Sequence, residues 1–140
     1  LKLKLIIAGE GEDLNNLKQQ NTNKNTEFLG YTDEKTLIDL YRNAKGFIFP
    51  QNEDFGITAI EAQYFGCPVL AFKKGGALET VQENHTGLFF EHQSKEEIIS
   101  AISRFEHQKW DYEAISAHAK KFKSEVFIEN IKNYLELLDK

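Results

Sequence analysis

Two glutamates eight residues apart, Glu53 and Glu61, bracket a glycine, Gly56, in the stretch EDFGITAIE. An ionised carboxylate accepts hydrogen bonds from two neighbouring hydroxyls, which is what a sugar diol offers. Gly56 stands where a helix should begin. The first turn of a helix has unpaired N–H groups and a partial positive charge, so it holds an anion such as phosphate well. Lacking a side chain, Gly56 lets a ligand approach the backbone closely. Two carboxylates would repel the phosphate itself, and they make sense only as acceptors for hydroxyls on either side of it. Glu61 lies roughly 7–8 Å beyond Gly56 along a helix axis, and its side chain leans back toward the helix N-terminus. Either acid alone would read as an ordinary dipole partner. The pair, with Phe55 and Gly56 between, suits a ligand made of a sugar, a phosphate and a ribose, which is a nucleotide sugar.

The elements that must position this pair are legible around it. Phe47, Ile48 and Phe49 form a short apolar run stopped by Pro50, which reads as a buried strand. The polar loop Gln51-Asn52-Glu53-Asp54 leads into a helix with Ile57, Ile60 and Tyr64 on one face. Gly66 suits its C-terminal cap and Pro68 forbids continuation. Val69, Leu70, Ala71 and Phe72 form the next strand. In an open parallel sheet, ligands sit beyond the carboxyl ends of the strands, and Glu53 falls there.

The rest of the chain repeats the alternation. Residues 1–8 alternate and then turn fully apolar, which predicts a strand entering a buried sheet. A glycine turn, a polar helix to about Gln20, a strand over 27–30 and a helix capped by Asp33 follow. After the unit around Glu53 come a short helix over 77–81, a strand over 86–91, a helix capped by Ser94, and helices near 111–121 and 124–138. Alternating strand and helix predicts an α/β fold, a parallel sheet with helices on both faces.

Composition bounds the function. The 140 residues are enough for one domain with a full core, and 41% hydrophobic with 28% charged is ordinary for a globular protein. A net charge of −5 argues against nucleic acid or an anionic membrane surface as partner. One cysteine excludes an internal disulfide framework and is compatible with a cytoplasmic setting. No apolar run reaches the length of a membrane span, and the leading Leu1 suggests a fragment of something longer.

The segment EDFGITAIEAQYFGCPVLAFKKGGALETV resembles the donor-binding core of retaining glycosyltransferases of family 4, enzymes with two Rossmann-like halves in the GT-B fold. Its flavour is most similar to bacterial mannosyltransferases that build surface polysaccharides. LIIAGEGED, FLGYTDEKTLIDLYRNAKGFIFP and HTGLFFEHQSKEEIISAI extend the likeness over nearly the whole chain. The resemblance implies a sugar-contacting, catalytic carboxylate at Glu53 and a ribose-contacting one at Glu61. It implies sugar and phosphate contacts through the loop of Asp54 and the backbone of Phe55, Gly56, Ile57 and Thr58. It also places Gly9 on the nucleotide side and Gly30 and Tyr31 at the base-binding edge. The implied ligand is a GDP- or UDP-linked sugar donor, with hexose transfer to an acceptor hydroxyl and no cofactor.

Departures from the family carry expectations of their own. Family members hold a basic pair, an arginine and a lysine, just before the point where this chain begins, and an acceptor-binding N-terminal half before that. Such cations clamp the diphosphate and neutralise the leaving group. Without them the piece is expected to fold, to bind nucleotide sugar weakly and to show little transfer alone. In the full-length enzyme, a cytoplasmic location with peripheral attachment to the inner face of the membrane is expected, any membrane contact lying in the missing half.

Other candidates are weaker. Gly9-Glu10-Gly11 lacks the third glycine of a dinucleotide fingerprint, since Leu14 stands in its place. An NAD-binding oxidoreductase domain is therefore a poor alternative, and a non-catalytic nucleotide- or ligand-binding α/β interaction domain a better one. Lys73-Lys74-Gly75-Gly76 reads as a solvated loop more readily than as a diphosphate attractor. Cys67 reads as a small buried residue. The four histidines show no metal-ligand spacing, and no D-x-D pair is present, so no metal is expected. Phe122, Phe127 and Tyr134 form an aromatic stripe expected in the core, while the last helix is also suited to face a partner domain.

Overall fold

The computed structural model describes residues 2–138, and the first residue of the expected opening strand, Leu1, lies outside them. The chain divides into two compact units, residues 1–40 and 41–140.

The first unit is a βαβ turn followed by the start of a helix. Strand β1 (Leu5–Ala8), helix α1 (Leu14–Gln20) and strand β2 (Thr26–Gly30) precede helix α2 (Glu34–Asn43), which runs on into the second unit. β1 and β2 pair in parallel, Leu5 with Thr26 and Ile7 with Phe28, then slip so that Ala8 meets Gly30. Asp33 caps α2 as expected, its Oδ1 accepting from the Thr36 amide at 2.7 Å. Those hydrogen bonds from Thr36 hold the Asp33 carboxyl below its ordinary value. The expected burial of the opening strand is not found. Leu5 and Ile6 are 41% and 38% exposed, because α1 buries nothing and carries only Leu14 and Leu17 as cover within this unit.

The second unit holds a fully parallel sheet. Strand β3 (Phe47–Phe49) leads through helix α3 (Ile57–Tyr64) to β4 (Val69–Phe72), and a short helix α4 (Ala77–Thr80) leads to β5 (Gly87–Phe90). The order is β3-β4-β5, with Phe47 beside Val69 and Val69 beside Gly87. Helices α5 (Lys95–His107) and α6 (Tyr112–Ala119), a 3-10 turn (Lys120–Phe122) and helix α7 (Ser124–Leu138) complete it.

Alternation along the strands distributes side chains to two faces. Leu70, Leu88 and Phe90 pack with Ala101 and Phe105 of α5, and Trp110 closes over the cluster. Val69 and Ala71 point the other way, toward the side covered by α3, and both are fully buried. A sheet sealed on both faces explains why β5 is buried at every position. Ser94 caps α5 by accepting from the Glu97 amide at 3.2 Å, and Asp111 caps α6 by accepting from the Ala114 amide at 3.0 Å.

The sequence leaves the buried face of α3 open, and it places an aromatic stripe in the core. The buried face of α3 is Ala59, Ala62 and Gln63, while Ile57 and Tyr64 are 62% and 39% exposed. Small residues win that face because α3 lies against both the sheet and α6, where larger side chains would hold the backbones apart. The aromatic stripe is likewise not core. Phe122 is half-buried, but Phe127 and Tyr134 are 65% and 60% exposed, and α7 has no buried residue.

Candidate functional site

Glu53 rides on a loop that is fixed from three directions. Where β3 ends, the Pro50 carbonyl accepts from Gln93 Nε2 at 2.6 Å, which ties the loop to the segment after β5. Gln51 Nε2 donates to Glu53 Oε1 at 3.1 Å. The Gly76 amide donates to the Glu53 carbonyl at 2.8 Å. All three strand ends therefore meet at one rim, the carboxyl end of the sheet.

The glycines explain how closely these backbones approach. Gly56 takes φ = +80°, and a side chain there would strike the Phe49 ring at 2.9 Å. A side chain on Gly75 would collide with the Glu53 carbonyl, and one on Gly76 with Phe55 Cα and the Asp54 carbonyl. The loop after β4 is thus a seat for residues 53–55. The sequence offers one signal for it, a double glycine two residues after a strand, in a stretch that reads as a solvated loop. Lys73 does not face that seat as a free cation: its Nζ lies 2.9 Å from Glu91 Oε1. The Glu91 hydrogen bond and charge raise the Lys73 ammonium, and Lys73 lowers the Glu91 carboxyl.

Helix α3 opens at Gly56 with no side-chain cap and no acid in its first turn. Its mouth, where Ile57 and Thr58 begin the first turn, therefore keeps its partial positive charge for a ligand. Asp54, Phe55, Ile57 and Thr58 are exposed around it, as are Glu53 and Glu61. The far end of α3 closes in a Schellman motif, with the Gly66 amide on the Gln63 carbonyl at 2.8 Å and the Cys67 amide on the Ala62 carbonyl at 2.9 Å. Glu61 lies one to two turns in from the mouth. Its charge acts on the Tyr41 phenol, which is pushed up to about 12 first by burial and second by Glu61.

The structure gathers Glu53, Asp54, Phe55, Gly56, Ile57 and Thr58 into one loop and helix start. Gly9, Gly30 and Tyr31 belong to the other unit and form a cluster of their own. There the Gly9 amide donates to the Gly30 carbonyl at 2.7 Å, both glycines have positive φ (118° and 70°), and Tyr31 stands 76% exposed.

Two recesses lie elsewhere. One of about 360 Å³ is lined by Tyr41, Arg42, Phe65, Cys67 and Tyr112, and one of about 530 Å³ by Asn84, His85, Asp111 and His118. Both involve segments that enter the strands, the opposite rim from the acid loop, and neither includes Glu53 or Glu61. Cys67 is buried, and burial pushes its thiol up to about 12, so it is no nucleophile. His118 is the one buried histidine among the described residues. Its Nε2 donates to the Thr80 carbonyl at 3.1 Å and its buried Nδ1 has no partner. No group of three or more histidines, cysteines or acids suited to a metal occurs among the described residues. Among them, too, no helix is long and apolar enough to cross a membrane.

Residues 1–122 match the family described as glycosyl transferases group 1. The chain belongs to this family. A curated relative, mannosylfructose-phosphate synthase of Agrobacterium fabrum, is 32% identical over 120 residues, covering 77% of this chain and 26% of its own. Among solved structures, sucrose-phosphate synthase of Thermosynechococcus elongatus shares the fold with a TM-score of 0.78 at 23% identity, over 97% of this chain and 39% of that one. The Anabaena protein HepE, solved in complex with UDP-glucose, matches with a TM-score of 0.65 at 23% identity, over 97% of this chain and 40% of that one. The α/β fold read from the sequence is that of these glycosyltransferases. The chain spans about a quarter or less of the length of the curated relatives it matches.

Proposed function

We propose that this chain is the donor-binding half of a retaining glycosyltransferase. It holds a nucleoside-diphosphate hexose, with mannose the first candidate, for transfer to an acceptor hydroxyl in surface polysaccharide or glycolipid synthesis. One observation carries the reading: the loop bearing Glu53 is seated rigidly on Gly75 and Gly76, directly ahead of an uncapped helix that carries Glu61. Support comes from the family match, from the mannosyl name of one relative, and from the UDP-glucose held by one protein of the same fold.

The chemistry follows from charge. As the bond from the anomeric carbon to the diphosphate breaks, negative charge grows on the phosphate and positive charge on the sugar. The amides at Gly56, Ile57 and Thr58 and the dipole of α3 stabilise the first. The Glu53 carboxylate, which Gln51 orients, grips sugar hydroxyls and stabilises the second. Glu61 takes the ribose diol. Retention proceeds by front-face attack aided by the leaving phosphate, not through a glycosyl–Glu53 ester, which would need a carboxylate on the opposite sugar face. No metal is required, as the chain has no D-x-D pair to carry one at the diphosphate.

An N-terminal half supplies the acceptor site and a basic diphosphate clamp, and the exposed apolar side chains of α7, Phe127, Ile131 and Leu135 among them, face that half. The enzyme works in the cytoplasm, peripheral to the inner face of the membrane, and residues 1–140 alone transfer little sugar. The intact protein with Glu53→Ala and Glu53→Gln tests the central role by turnover of radiolabelled donor. Both should lose on the order of a hundredfold or more in kcat. A Gln variant with nearly full rate would show that the charge is irrelevant. A thermal-shift panel of GDP- and UDP-sugars identifies the donor, since a ligand that binds only the folded state raises the Tm.

A further inference from the structure

The acid loop is closed into a ring of contacts that ends on an aromatic residue outside every strand and helix of the site. From the Glu53 carbonyl, the ring runs to the Gly76 amide at 2.8 Å. From the Gly76 carbonyl it continues to the Thr80 hydroxyl at 3.0 Å, and from the Thr80 carbonyl to His118 Nε2 at 3.1 Å. The His118 ring then meets the Phe122 ring edge-on at 5.5 Å, and Phe122 meets Phe55 edge-on at 6.2 Å. Phe55 neighbours Glu53 by two residues, so the circuit returns to its origin.

Each link has a physical reason. Thr80 and His118 are buried; those two hydrogen bonds satisfy the hydroxyl and carbonyl of Thr80 and the Nε2 of His118, while His118 Nδ1 stays without a partner. Phe55 is 46% exposed on a loop without secondary structure, and Phe122 gives its ring an edge-to-face partner. Phe122 in turn is held by the end of α6, which is tied to α3 through Ser116 Oγ on the Tyr64 carbonyl at 2.8 Å. Gly75 and Gly76 support the loop on its backbone side, and Phe122 is its side-chain support.

We propose that Phe122 is a positioning residue for the donor site: through Phe55 it fixes the loop that carries Glu53. This inference rests on the reading of the acid loop as the donor site. It implies that the turn leading into α7 reports on the geometry of Glu53, so whatever docks on α7 is felt at the sugar.

The test is hydrogen–deuterium exchange on the intact, nucleotide-free protein, unsubstituted and with Phe122→Leu or Phe122→Tyr, followed by titration with UDP and GDP. In Phe122→Leu, exchange across residues 51–58 should rise about threefold to tenfold while β4 and β5 hold their protection. Phe122→Tyr, which keeps the ring, should behave as the unsubstituted protein. No change across 51–58, or an equal rise through β4 and β5, would overturn the proposal. So would a nucleotide affinity that Phe122→Leu leaves untouched. If neither UDP nor GDP binds the unsubstituted protein, the donor reading fails, and the exchange result alone decides the role of Phe122.

Discussion

Residues 1–40 and 41–140 use one local pattern, strand, helix, parallel strand, yet hold it together differently. In 41–140 the sheet is sealed: Phe49, Val69, Ala71 and Phe90 have no exposed surface. In 1–40 no described residue is buried, and the parallel pair β1-β2 keeps Leu5 and Ile6 half in solvent. Burial fixes a loop by fixing its ends, so the rim above β3, β4 and β5 can hold a charged side chain to a geometry. The Gly9 and Gly30 turn has no such foundation within its own unit.

The largest expected effect tests that contrast directly. Phe90→Ala should destabilise by about 3–5 kcal/mol, through lost transfer energy and the cavity left behind. Ile6→Ala should cost under about 1 kcal/mol, because little surface is removed from contact. Urea unfolding midpoints measure both, and equal losses would break the comparison.

Next in size is the glycine pair. Gly76→Ala puts a methyl into the Phe55 backbone, and displacing main chain in a packed site should cost roughly 1–3 kcal/mol or more along with donor affinity. Gly9→Ala meets nothing within 4 Å and carries only the strain of its φ of +118°, about 1–2 kcal/mol. Nucleotide titration and unfolding together distinguish displaced loop from strained turn.

The smallest effect is on pH. Burial lowers the His118 imidazole from its ordinary 6.5, so the native state favours the neutral ring. Between that lowered value and 6.5 the unfolded chain binds more protons than the folded one. Stability is therefore full above about pH 6.5 and declines as pH falls toward the folded value. His118→Gln, whose amide can still donate to Thr80, should flatten this slope. An unfolding series from pH 5 to 8 checks it, and an unchanged slope would place the titration elsewhere.

Much of the fold was legible because its determinants are local. Asp33 and Ser94 cap where a short polar acceptor precedes an apolar helix, and Gly66 takes the left-handed position that ends α3. Glu53, Gly56 and Glu61 were legible as a candidate site for the same reason, all three lying within nine residues. What could not be read is set by distant contacts. Nothing in ITAIEAQY says that Ala59, Ala62 and Gln63 face inward, since that depends on α6, some fifty residues on. The seat at Gly75 and Gly76 is defined by a backbone twenty residues earlier, and Phe122 by a ring 67 positions away.

A platform made from two residues without side chains cannot be adjusted by degrees. Any replacement at Gly75 or Gly76 adds atoms where main-chain or side-chain atoms already stand, so on the proposed reading of this loop as the donor site, sugar preference would be retuned from positions whose side chains project into solvent, Asp54 and Lys74 among them. An engineer seeking a different donor would randomise those two and leave the glycines alone.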